Sequence, residues 1–200
     1  RVFKCAFIYV VSVGLVAAVL TFAFAPALVK EQPNAILSLQ ILAPTIFLSG
    51  FLAIYRGYLQ AYKTMIPTSI SQIIEQIANA VVSVLAAYLM SRPFVPGTSE
   101  HAKYGAAGSA MGTGAGVLCG IIYILIAYAG RRKEIMETVE SDVSSNVESY
   151  GKLFRQIVMI VTPIIIAAFV YNITTTVDMK IFYNVLNSKN VDRVESANLY

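Results

Sequence analysis

The sequence predicts an all-α polytopic membrane protein, a helix bundle, and three observations carry that expectation. Hydrophobic residues make up 57% of the 200 positions and charged residues only 13%, about half the charge of an ordinary soluble domain. The apolar residues gather into five runs, each long enough for a helix of about 20 residues to cross the hydrocarbon core. These runs lack the alternation of barrel strands, which leaves helices, whose backbone polar groups bond internally.

The first run covers about 5–29, and a polar turn at 30–35 (KEQPNA) separates it from the second, about 36–60. A turn at 62–66 leads into the third, about 67–90, where Pro67 suits the first turn of a helix. The polar loop 91–103 (SRPFVPGTSEHAK) precedes the fourth run, about 104–129. Residues 131–155 open with Arg131, Arg132 and Lys133, then turn acidic and serine-rich, which reads as a linker. The fifth run, about 156–180, contains Pro163, which removes one backbone bond and is expected to bend the span. The expected organisation is thus 1–130 in one helical part, 131–155 as a cytoplasmic linker, and 156–200 as a second helix with its outer loop. With no initiator Met and no signal peptide, the chain reads as an internal piece of a longer protein.

Orientation follows from the basic residues. One side of the membrane receives Arg1, Lys4, Arg56, Lys63, Arg131, Arg132, Lys133, Lys152 and Arg155. The other receives Lys30, Arg92, Lys103, Lys180, Lys189 and Arg193. The first side is the richer and holds the compact RRK cluster, so it is expected to be cytoplasmic. Basic residues at helix ends rather than on one patch argue against a nucleic-acid partner.

Polar residues inside the spans are the candidates for function. On the third run Gln72, Glu75, Gln76, Asn79 and Ser83 fall within a band of about 100°, with Thr68 at its edge. Ile70, Ile74, Ile77, Val81 and Val84 occupy the other face. Such a stripe lines a hydrated cavity or bonds to neighbouring helices, and the sequence leaves both open. Arg56, about 9 Å from the end of its helix, and Glu75, about 12 Å from the start of the next, lie at similar depth across a helical hairpin. They can pair structurally, Arg56 can snorkel, or either can bind a ligand. Gln60 lies one turn beyond Arg56. Late in the fifth run Tyr171, Asn172, Thr174, Thr175, Thr176 and Asp178 form a second polar zone, with Asp178 either interfacial or lining a cavity.

The fourth run is built differently. Gly108, Gly112, Gly116 and Gly120 recur every fourth residue on one ridge, which allows close helix approach and offers a surface for sliding. Its GTGAG is no phosphate loop, because no strand precedes it and no Lys follows. No HExxH, histidine pair or nucleophile elbow occurs, so neither an enzyme, a metal site nor a cofactor is expected. Cys5 and Cys119 read as buried thiols, and His101, in the outer loop, as solvated.

The segment 56-RGYLQAYKTMIPTSISQIIEQ-76 resembles a motif, roughly RGYFQG…MTPTAISQ…EQ, of the stage V sporulation protein B / lipid II flippase-like proteins. These form a polysaccharide biosynthesis family within the multidrug/oligosaccharidyl-lipid/polysaccharide exporter superfamily. Leu59 stands here for the usual aromatic residue and Ala61 for the usual Gly. The resemblance implies the third to seventh helices of a two-lobed transporter, with 1–130 in the first lobe and 156–200 opening the second. It implies a flippase of the bacterial-type cytoplasmic membrane that moves a polyprenyl-diphosphate-linked oligosaccharide, such as lipid II or a polysaccharide unit, by alternating access. Partners would be that lipid-linked sugar and the membrane lipids. The alternative within the superfamily is a multidrug or small-molecule exporter with a coupling cation on Glu75 or Asp178. Candidate cavity residues are Arg56, Gln60, Gln72, Glu75, Gln76, Asn79, Ser83, Asn172, Thr175 and Asp178.

Overall fold

A computed structural model of the chain describes residues 2–29, 33–62, 64–140 and 149–188. Lys30 and Lys63, and the expected outer loop with Lys189 and Arg193, lie outside them. The described residues contain helices and no strand, and five of the helices are long and apolar enough to span a membrane. They are α1 (Val2–Leu28), α2 (Ile36–Ala61), α3 (Ile66–Ser91), α4 (Ser99–Glu140) and α5 (Tyr150–Ser188). A single 3₁₀ turn, Pro33–Ala35, precedes α2. The expected fold class is the one observed.

The first three helices begin and end within a few residues of the apolar runs. The last two do not. α4 starts at Ser99, inside the stretch read as a loop, and continues to Glu140, well into the stretch read as a linker; α5 starts at Tyr150. At the front of α4, Thr98 accounts for the early start: its Oγ1 accepts a hydrogen bond from the His101 backbone N–H at 3.2 Å, the usual work of an N-cap threonine. The chain reaches that cap through Gly97 at φ 86°, a left-handed conformation that glycine adopts freely. At the far end, Ile135 is buried against the core formed by α2 and α4. The Arg131 guanidinium also donates to Thr64 Oγ1 at 2.9 Å. Hydrophobicity ends near residue 129, but packing does not, and the helix follows the packing. His101 is accordingly a residue of the first turn of α4, not of a loop.

The chain divides into two compact units, Arg1–Val147 and Glu148–Tyr200. In the first, α3 packs along α4, α4 against α2, and α2 against α1. The hairpin expected of α2 and α3 is therefore loose, since the main neighbour of α3 is α4. The core lies between α2 and α4, where Leu52, Leu59, Val117, Ile121, Ile124 and Ile135 are buried together. Aromatic rings extend it to α1: Phe3 meets Tyr58 at 4.5 Å and Tyr55 at 5.8 Å, and Tyr128 of α4 meets Tyr55 at 5.5 Å. Edge-to-face and tilted pairs at these separations are favourable beyond the area they bury.

The outer faces suit lipid. On α3, Ile77 is 60% and Val84 70% exposed, as the helical periodicity requires of the face opposite the polar stripe. In the second unit α5 continues as one helix through Pro163, with Ile164, Ile165, Ile166 and Phe169 exposed. Cys5 is buried and Cys119 half-buried, both as free thiols.

Candidate functional site

The glycine ridge of α4 decides how α3 lies. A Cβ added at Gly108 would run into the backbone of Ala86 and Ala87, and one at Gly112 into Ser83. One at Gly116 would stand 2.6 Å from the Glu75 carbonyl oxygen, and one at Gly120 3.1 Å from Leu52 Cδ2. Four glycines at fourfold spacing thus bring α4 into backbone contact with three successive turns of α3, and then against the Leu52 and Arg56 side chains of α2. Small residues are what permit this approach in a membrane, where no hydrophobic force draws helices together.

Two hydrogen bonds fix the register of that contact. Ser83 Oγ is within reach of the Ser109 carbonyl at 3.0 Å and of Asn79 Oδ1 at 2.8 Å. About three turns away, Ser71 Oγ donates to the Gly120 carbonyl at 3.3 Å. In this structure α3 is thus bonded to α4 at two levels along the ridge.

Ser71 is also the centre of the charged node. The Arg56 guanidinium, arriving from α2, donates to Ser71 Oγ from Nε at 3.2 Å and from Nη2 at 2.7 Å. The same Nη2 donates to Glu75 Oε2 at 2.6 Å, forming an ion pair whose side chains are 15% and 21% exposed. A hydroxyl has one proton to give and two lone pairs to receive with; Ser71, fully buried, uses all of them. One charge alone in this setting would be costly, and the pair removes that cost while joining α2, α3 and α4.

The remaining candidates separate clearly. Asn79 and Ser83 are half-buried at the α3–α4 contact: Ser83 bonds across to α4, while Asn79 packs at Gly116 and its Oδ1 lies within reach of Ser83 Oγ on α3 itself. Gln72 and Gln76 lie on the flank of the same stripe and are exposed, as is Gln60 near the end of α2. Thr68, at the stripe's edge, is 4% exposed, and its Oγ1 has no partner among the described residues. Asn172, Thr175 and Asp178 belong to the other unit and are exposed on α5. There Asn172 Nδ2 donates to the Ala168 carbonyl at 2.7 Å and Thr175 Oγ1 to that of Tyr171 at 3.3 Å. Among the described residues no cluster of His, Cys, Asp or Glu could hold a metal ion.

The residue that sequence reasoning missed is Ser71. Four positions before Glu75, it lies on the same helical face and completes the stripe, but a serine in an apolar run attracts no notice beside a charge. The Gly120 carbonyl carried no sequence signal at all.

Comparison with known families fits this architecture. The profile of the polysaccharide biosynthesis protein family matches residues 2–192. The chain belongs to that family. No curated protein and no solved structure gives a significant match. Five membrane-spanning-capable helices and this membership mark the chain as a multi-pass membrane protein of the polysaccharide biosynthesis family. The family match covers the node on α2, α3 and α4 as well as all of α5.

Proposed function

We propose that this member of the polysaccharide biosynthesis family is a flippase. It moves a polyprenyl-diphosphate-linked oligosaccharide across the cytoplasmic membrane by alternating access. The observation that carries the reading is the exposed flank of α3. Gln72 and Gln76 lie about 9 and 15 Å along a helix that begins at Ile66, well inside the hydrocarbon layer. Polar side chains at such depth normally face protein or a water-filled path, because lipid cannot satisfy them. A transporter of a hydrophilic headgroup needs such a path. The resemblance of residues 56–76 to lipid II flippase-like proteins supports the same reading and suggests the polyprenyl-linked class of cargo.

The alternative, a cation-coupled drug exporter, requires a carboxylate free to take a proton or sodium ion. Glu75 is already paired with Arg56, which leaves Asp178, exposed on α5, as the one carboxylate of the two candidates open to that role. The test uses the full-length protein in proteoliposomes carrying a fluorescent polyprenyl-diphosphate sugar, with inner-leaflet label followed by its loss to an outside quencher. Wild type should translocate the lipid. Failure of correctly inserted protein to move any such lipid, together with ion-dependent drug efflux, would transfer the assignment to the exporter.

A further inference from the structure

Resting on the flippase reading, one question is which part of the cargo the flank of α3 meets. A polyprenyl-diphosphate sugar offers two chemically distinct portions to a membrane path: a doubly charged diphosphate and a neutral, hydroxyl-rich glycan. We infer that Gln72 and Gln76 form a subsite for the neutral glycan and not for the diphosphate.

Charge makes the first part of the case. Across the apolar runs of α1 to α4 (5–29, 36–60, 67–90 and 104–129), Arg56 is the sole basic residue and Glu75 the sole acidic one. These two neutralise each other at 2.6 Å. The guanidinium is further held by Ser71 through both Nε and Nη2, and Ser71 is anchored to the Gly120 carbonyl. A diphosphate entering at this depth would meet no uncompensated cation on these four spans, and it would have to displace the half-buried Glu75 carboxylate from its pair to obtain one. Anionic groups are recognised by free Arg or Lys forks or by metal ions; this flank presents neither.

The amides make the second part. A glutamine side chain offers two N–H donors and a carbonyl acceptor, and a sugar hydroxyl offers one donor and two acceptor lone pairs. Each amide can therefore bond a hydroxyl in both directions, with no charge to desolvate. Gln72 and Gln76 stand four residues apart, hence on one face of α3 and about 6 Å apart along it, a spacing on the scale of adjacent sugar rings. Both are exposed, and among the described residues neither amide has a hydrogen-bond partner. Their neighbours differ: Ser83 bonds to the Ser109 carbonyl of α4, and Asn79 packs at Gly116 with its Oδ1 within reach of Ser83 Oγ. The flank is thus left polar, uncharged and open beside a sealed ion pair.

The experiment compares two cargoes in proteoliposomes of the full-length protein. One is a polyprenyl diphosphate bearing a fluorescent oligosaccharide, the other the same lipid diphosphate with the fluorophore but without sugar. The variant Q72L/Q76L keeps side-chain size and removes the amides; Q72A/Q76A guards against an effect of leucine itself. With two modest hydrogen bonds removed, the half-saturating concentration of the sugar-bearing lipid should rise about tenfold, while that of the sugar-free lipid stays unchanged. An equal rise for both lipids would overturn the inference, because the flank would then be reading the diphosphate or the path as a whole. No rise for either would overturn it too, and a lowered melting temperature with equal loss on both cargoes would assign the amides to another helix of the full chain. Wild-type protein that moves neither lipid would bring down the flippase reading itself.

Discussion

On α3 three polar side chains reach other helices: Ser71 to the Gly120 carbonyl and Arg56, Glu75 to Arg56, and Ser83 to the Ser109 carbonyl. On α5 hydroxyls bond to their own backbone one turn earlier, Thr162 to Val158 at 2.6 Å, Thr174 to Val170 at 3.0 Å and Thr175 to Tyr171 at 3.3 Å. Both are ways to place polar atoms in hydrocarbon, and they have different consequences. A bond to another helix fixes register and couples two segments. A bond to the same helix's i−4 carbonyl satisfies the hydroxyl and leaves the helix free of any partner. The presence of polar residues in a span therefore says little until their bonds are known.

Substitutions at six positions test that contrast. The largest effect is expected at Arg56→Ala, which leaves Glu75 charged and unpaired; the loss should be about 3–5 kcal/mol in denaturant titrations of the detergent-solubilised full-length protein. Arg56→Ala combined with Glu75→Ala should recover part of that loss. A double variant no better than the sum of its singles would show that the two side chains do not interact. Gly112→Leu comes next, at about 3 kcal/mol, because even a Cβ there meets Ser83 backbone; thermal midpoints should fall accordingly, and an unchanged midpoint would mean α3 and α4 are not in close contact. Ser71→Ala should cost about 2 kcal/mol, the penalty of leaving buried groups without their partner. The smallest change belongs to Thr174→Val with Thr175→Val on α5, within about 0.5 kcal/mol. If the threonine pair proved as damaging as Ser71→Ala, the distinction between bonding across helices and bonding within one would collapse.

Much of the site is legible in the amino-acid sequence. Residues 72–83 form a polar stripe because 3.6-residue periodicity leaves no other arrangement, and Arg56 and Glu75 meet because the short turn between their helices puts them at one depth. The stripe divides in two: Asn79 and Ser83 lie half-buried at the α4 contact, and Gln72 and Gln76 are exposed. That division depends on the direction from which α4 approaches, and helical periodicity of α3 alone contains no such information. The same holds for Thr68, buried although it lies at the stripe's polar edge.

The class of molecule, the number of spans and the positions of α1, α2 and α3 to within a few residues all follow from the amino-acid order alone. Those properties depend on local quantities: apolar run length against bilayer thickness, and one internal hydrogen bond per residue. Tertiary packing was needed to make α4 and not α2 the partner of α3. It also carried α4 past its apolar run to bury Ile135, and made Ser71 the joint between residues 15 and 49 positions away. The difference is one of range. A helix forms from bonds four residues apart, whereas the node needs three helices to arrive together, and close contact with a glycine ridge brings α3 and α4 there.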